Sequence, residues 1–185
     1  MKKANDYSKQ GAKNDKIVYI TLVLLFVLAA ALVLINRSNA RTKLREAEDQ
    51  RFIVYVDGEY AATVSLQMLI DLNPQEFRTS LATSVSAPRD TILLGVELRL
   101  LFGALGIDTA GASHFVVSGS DSYYSPLTLS EVESKETIYI CFSMDGEILK
   151  AQSEGGYGPF LMVVRDSLFA QRWCKYVDSI DMISS

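Results

Sequence analysis

The chain has one histidine and two cysteines in 185 residues, and no Cys-x-x-Cys spacing. The usual zinc sites draw four ligands from Cys and His, so a site of that kind has almost nothing to be built from. Cations are scarce beyond the N-terminal stretch: residues 52–185 hold eight Lys/Arg against seventeen Asp/Glu. A domain with that balance has no basic patch to meet phosphates, which excludes nucleic acid as a partner. No internal repeat is present. The formal net charge of -4 hides a split, because residues 1–51 carry ten Lys/Arg against five Asp/Glu.

Charge, Gly and Pro are also missing from one long run. Ile17 to Ile35 reads IVYITLVLLFVLAAALVLI, nineteen residues in all. As a helix it would reach about 28 Å, close to the ~30 Å hydrocarbon thickness of a bilayer. Tyr19 stands near one end, where an amphipathic ring suits the headgroup level. The expectation is a cytoplasmic basic tail (1–16), a transmembrane helix (17–35), a charged stalk (36–51) and one folded domain (52–185). The lipid bilayer is then a partner, and a basic stem suits anionic headgroups. Cations on the two sides of the run tie in number, so they barely orient it. The commoner arrangement leaves the short tail in the cytosol and the domain extracytoplasmic. The rival is a signal peptide cleaved after Ser38-Asn39-Ala40, although the apolar run exceeds an ordinary h-region. In the stalk, Arg45 and Asp49 stand at helical i, i+4 spacing.

Within the domain, Phe52 to Ala61 alternates and turns at Asp57-Gly58, a hairpin signal. Ser65 is placed to cap a short helix with Leu66, Leu69 and Ile70 on one side, stopped before Pro74. Phe77 to Val85 reads as a strand ended by Pro88. Val96 to Leu105 reads as a helix with Val96, Leu100, Leu101 and Leu105 inward, closed by Gly106. His114 to Ser118 is a strand, Ser125 to Val132 a turn with a short helical piece, and Thr137 to Phe142 a strand. Asp145-Gly146 marks a second turn, and Phe160 to Val164 and Trp173 to Met182 close the order as strands. Short strands mixed irregularly with short helices predict an α+β domain of mixed small sheets. Cys141 and Cys174 each lie in apolar or aromatic runs. Sequence does not decide whether they pair, and buried free thiols are the simpler reading.

Four segments in order resemble the sulfite oxidase-type molybdopterin-binding domain. They are Leu94-Gly95-Val96-Glu97-Leu98 through Ile107; Ser120-Asp121-Ser122-Tyr123-Tyr124 with Pro126 to Leu129; Ile140 to Leu149; and Gly158-Pro159-Phe160 to Val164 with Trp173 to Ile180. The resemblance covers about residues 52–183. It implies that family's fold, in this chain preceded by the one expected transmembrane helix, and it implies a molybdopterin cofactor. Two departures bear on that cofactor. The family's molybdenum-ligating thiolate belongs before the first segment, where this chain reads Thr79 to Pro88 without a cysteine, so no metal ligand is assigned. The family's arginine after Gly-x-Pro, a natural phosphate partner, falls on Leu161, and a family proline falls on Arg165.

Each candidate residue has a functional and a plain reading. Tyr123 matches a family tyrosine near the metal, a weak candidate for catalysis or cofactor binding; it would otherwise be a packing tyrosine. Gly155, Gly156 and Gly158 form a Gly-rich stretch whose N–H groups could cradle a phosphate, but it lacks a P-loop's ending and equally reads as a turn. Lys175 matches a family lysine and otherwise faces solvent. His114 reads as a surface residue, Trp173 as a core anchor, and Glu131, Glu133 and Glu136 as a solvated acidic face. The expectation is a membrane-tethered, non-catalytic module that binds a small molecule or a membrane or envelope protein. The alternative is a redox enzyme holding molybdopterin or another cofactor in membrane-linked electron transfer.

Overall fold

The structure, a computed structural model, describes residues 50–83, 86–165 and 170–185. The expected basic tail, the span at 17–35 and the stalk up to residue 49, with its Arg45/Asp49 pair, lie outside the described residues. No helix of the described residues is long and apolar enough to cross a membrane.

Asp57 and Gly58 take φ of 54° and 76°, the backbone an Asp-Gly pair adopts in a two-residue hairpin loop. They join β1 (Arg51–Val56) to β2 (Glu59–Ser65). The last strand holds this turn. Asp57 accepts the Ser184 N–H at 2.7 Å, and Asp181 accepts the Gly58 N–H at 3.2 Å. Ser65 caps α1 (Leu66–Asp71), its hydroxyl accepting the Met68 N–H at 3.2 Å. Such a cap contributes about 1 kcal/mol. Leu66 and Leu69 enter the core, whereas Ile70 is 42% exposed, because it sits about 100° further round the helix than Leu69.

β3 (Gln75–Thr83) and β4 (Ser86–Glu97) form a long antiparallel pair. Pro88 does not end the strand region as expected but lies within β4. There β4 pairs only with β3, its second neighbour joining from Leu93 onward, so a residue without an N–H is tolerated. Val96 belongs to this strand. The expected helix starts later, as α2 (Leu98–Leu105), and Gly106 closes it with φ 69°. Leu98, Leu101 and Phe102 are its buried residues, while Leu100 faces outward.

β5 (Ala112–Gly119) leads to β6 (Tyr124–Thr128), a strand where a turn was expected, and then to α3 (Leu129–Glu133). Pairing with β5 holds β6 extended despite Pro126, since β6 is an edge strand. β7 (Ile138–Met144) turns through Asp145-Gly146 into β8 (Glu147–Ile148), and β9 (Leu161–Val164) and β10 (Val177–Ser184) follow. Trp173 and Cys174, expected in the last strand, precede it. Cys174 instead bridges to Met162.

One sheet has the order β2-β1-β10-β5-β6, with β1 and β10 parallel and its other pairs antiparallel. The other runs β3-β4-β7, and β8 and β9 share the far edge of β7. The main core lies between the inner faces of both sheets and takes the buried residues of all three helices. Phe52 meets Phe160 edge-on at 5.1 Å and Phe102 meets Phe115 at 5.2 Å, contacts of about 0.5–1.5 kcal/mol each beyond area burial. Ile140, Met162 and Cys174 face this core in register, while Tyr139, Cys141, Leu161 and Val163 alternate to the opposite face. There they join Phe77, Leu93, Leu149 and Trp173 in a second cluster. Burial on both faces explains why β7 reads as an unbroken apolar run.

Candidate functional site

The tyrosine singled out by resemblance stands at the end of a tight turn. Gly119 N–H donates to the Tyr123 carbonyl at 2.9 Å, Asp121 accepts the Tyr123 N–H at 3.2 Å, and Ser122 takes φ 66°. Gly119 is required there. A Cβ would lie 2.5 Å from the Lys175 carbonyl oxygen, 2.7 Å from Asp121 and 3.3 Å from the Cys174 sulfur. That close approach brings the turn against the segment Cys174 to Tyr176. Ser120 N–H donates to the Tyr176 carbonyl at 3.0 Å, and Tyr176 N–H to the Tyr157 carbonyl at 3.1 Å. The Lys175 ammonium lies 4.4 Å from the centre of the Tyr157 ring. Asp121, Tyr123, Tyr157, Lys175 and Tyr176 therefore gather on one side of the domain. Burial, with the charge of Asp121 adding, raises the Tyr176 phenol above its usual range.

Tyr123 is 38% exposed, but its phenol is engaged: it donates to the Gln171 carbonyl. The neighbouring Ser125 hydroxyl donates to the Arg172 carbonyl at 2.8 Å. Arg172 in turn donates to the Pro126 carbonyl at 3.1 Å and to both Glu131 oxygens, at 2.5 and 3.2 Å. The Arg172 hydrogen bond, helped by donors on Thr128, holds the Glu131 carboxyl down at about 2. Glu131 is thus a capping-box and ion-pair residue rather than part of a free acidic face, while Glu133 and Glu136 are exposed, Glu136 pairing with Arg165.

The Gly-rich stretch packs on its own chain. Gly155, at φ 75°, closes a single 3-10 turn, Gln152–Glu154. A Cβ at Gly156 would stand 2.1 Å from the Lys150 carbonyl oxygen, and one at Gly158 2.6 Å from Leu149. Its N–H groups are already spent: Gly155 donates to Gln152 at 2.9 Å, Gly156 to Ala151 at 3.1 Å and Gly158 to Lys150 at 2.8 Å. A phosphate cradle needs those donors pointing at one empty space.

His114 is exposed, and Trp173 is buried with its indole N–H donating to the Val164 carbonyl at 3.3 Å. Cys141 and Cys174 are free and buried, on opposite faces of one sheet layer. Burial pushes both thiols up, Cys174 to about 12 with Asp121 adding to it, so neither supplies a thiolate. Among the described residues, no group of three or more His, Cys, Asp and Glu gathers as a metal site. Sequence reasoning missed Arg172, Gln171, Tyr157 and Tyr176 as parts of this region. Only the adjacent Lys175 and Tyr176 hinted at it, and the φ of 55° at Tyr176 had no sequence signal.

No family model and no curated protein matches the sequence. Among solved structures, the fold is similar to that of the sulfane dehydrogenase SoxCD from Paracoccus pantotrophus, with a TM-score of 0.60 at 16% identity. The match covers 75% of this chain and 39% of that one. The class so defined is an α+β domain distantly related in fold to sulfane dehydrogenase. Within that class, this chain spans about two-fifths of its structural neighbour's length.

The molybdopterin that the sequence resemblance implies does not fit the residues present. The sequence Thr79 to Pro88, part of it outside the described residues, holds no cysteine. Leu161, where the family has arginine, is 1% exposed within β9, among Tyr139, Cys141 and Trp173. Arg165 is bound to Glu136 at 2.8 Å and lies over Phe77, 5.4 Å from the ring centre.

Proposed function

We propose that the chain is a membrane-tethered, extracytoplasmic module that keeps the sulfite oxidase-type molybdopterin fold without its cofactor chemistry. In that role it binds a small molecule or a partner protein. The observation that carries the reading is the reuse of cofactor positions for the fold itself. Leu161 fills a core, Tyr123 ties down Gln171, and the Gly-rich stretch spends its N–H groups on Lys150 to Gln152. A scaffold can outlive its site in this way, because packing and cofactor ligation depend on different residues. The uncharged run at 17–35 and the basic stem support the tether. The side formed by Asp121, Tyr123, Tyr157, Lys175 and Tyr176 offers aromatic surface with both signs of charge to a ligand.

Full-length protein produced with molybdate in the medium, then analysed for molybdenum and by absorbance, tests the reading. No bound molybdenum is expected. One molybdenum per chain would overturn it and establish the redox enzyme instead. A C-terminal reporter active only outside the cytosol checks the orientation, with signal expected. Pull-down from solubilised membranes then searches for the partner.

A further inference from the structure

The chain enters the domain at the same end of the first sheet that carries the tyrosine-rich side. Arg51 opens β1 opposite Ser65, which ends β2, and β10 starts in parallel beside it with Val177. Val177 pairs with Gly119 at the end of β5, and Ser118 pairs with Tyr124 at the start of β6. Gln50 holds the corner, its carbonyl accepting the Leu66 N–H at 3.3 Å. Tyr124 stands three strands across from Arg51, about 14 Å at the usual strand spacing. Around this end Tyr123 and Tyr124 are 38% and 62% exposed, and Tyr157 and Tyr176 are half-buried beside Lys175. Its charges balance, Arg51, Lys150 and Lys175 against Asp121, Glu154 and Asp178. The opposite end of the sheet is acidic. Asp57 and Glu59 lie at the β1–β2 turn, Asp108 precedes β5, and Asp181 accepts the Gly58 N–H. Residues 57–59, 106–111 and 181–185 hold no Lys or Arg.

We infer, resting on the membrane-tethered reading, that this end lies on the bilayer and that its ligand is the lipid headgroup layer. With 17–35 as the span, only residues 36–49 separate the hydrocarbon from Gln50. A segment of that length reaches about 50 Å at full stretch and averages about 21 Å as a flexible coil. Residues 37–51 carry five Lys/Arg against three Asp/Glu, and cations near anionic headgroups draw such a stem toward the surface. The domain therefore stays close to the bilayer, and the end nearest Gln50 reaches it first. Tyrosine suits that layer, because its ring is apolar while its phenol stays wet. The acidic end does not suit it, since an anionic surface repels carboxylates. A basic partner would be steered to that acidic end instead.

The test uses the full-length chain in vesicles of equal parts phosphatidylcholine and phosphatidylglycerol, some lipids carrying a nitroxide on the headgroup. A fluorophore is attached to Ser122→Cys at the tyrosine turn, or to Glu59→Cys at the acidic end as the control. The native thiols are buried and do not compete. The nitroxide should quench the Ser122 position several-fold more than the Glu59 position. Lys175→Glu changes the charge by two and should cut the ratio of docked to undocked domain about 30-fold. Ser122 quenching should then fall toward the control, with the circular dichroism unchanged. Vesicle-bound chain quenched equally at both positions, or more at Glu59, overturns this inference alone and leaves the side to a partner protein. Chain that does not float with the vesicles overturns the tether as well. If Lys175→Glu misfolds, the comparison of the two positions still decides.

Discussion

Replacing Gly156 with alanine separates a structural glycine from a phosphate-cradling one. The added methyl would lie 2.1 Å from the Lys150 carbonyl oxygen and 2.6 Å from two further Lys150 atoms, where ordinary contact begins near 3.4 Å. The two backbone segments must part by more than about 1 Å, straining Gly156 N–H to Ala151 (3.1 Å) and Gly158 N–H to Lys150 (2.8 Å). Overpacking costs about 1–3 kcal/mol and a weakened backbone bond about 1, so the variant should lose about 2–4 kcal/mol. For a chain of this size that lowers Tm by about 5–15 °C. Gly155→Ala is the comparison, since it meets nothing within 4 Å and pays only for its φ of 75°. Its cost should be about 1 kcal/mol. Thermal and urea unfolding of the ligand-free protein, followed by circular dichroism, reads both. A Gly156→Ala protein within about 0.5 kcal/mol of the parent would refute the reasoning, since a cradle glycine alters ligand binding and leaves ligand-free stability alone.

Three further outcomes follow from the same geometry. Leu161→Arg, which restores the family's arginine, should destabilise by about 3 kcal/mol or more in the same unfolding assay, because it buries a charge in the second cluster. It should bring no molybdenum by elemental analysis. Cys141 and Cys174 should resist a thiol reagent in the folded protein and both react in denaturant, and an oxidant should not join them; a rapid folded-state reaction would contradict their burial. The Glu131 carboxyl is held near 2, below the usual 4.5, so its stabilising contribution is present above pH ~4.5 and is lost as pH falls toward 2. Glu131→Gln should therefore lose about 0.5–1.5 kcal/mol at pH 7 and converge with the parent near pH 2, and a constant gap across that range would sink the assignment.

Local chemistry made much of the fold legible. Asp-Gly pairs at 57–58 and 145–146, the Ser65 cap and the Gly106 stop act through a residue's own φ or a bond three residues away, so they read directly from the sequence. Apolar runs located β7 and β9 for the same reason, although an apolar run does not say how many faces are covered. Boundaries failed where a neighbouring strand overrode local preference. Pro88 is tolerated because β4 lacks a second partner there, β6 stays extended because β5 pairs it, and Val96 joins the sheet through Ile140. The candidate site was half legible. Resemblance picked out Tyr123 and Lys175, glycine content picked out Gly156, and the missing thiolate and the leucine at 161 were plain in the sequence.

What those residues do was decided only by tertiary contact. Tyr123 reaches Gln171, forty-eight positions away, and Arg172 reaches Glu131 across forty-one. Gly156 is filled by a carbonyl six residues back that the chain must double over to supply. Cys141 and Cys174 face different clusters because alternation along paired strands sends them to opposite sides. The sequence alone determined the turns, the caps, the charge split and the uncharged run at 17–35, because each depends on residues adjacent in the chain. The packing determined whether a glycine is a cradle or a contact, and whether a sheet face is core or surface. Those outcomes depend on which distant segments meet.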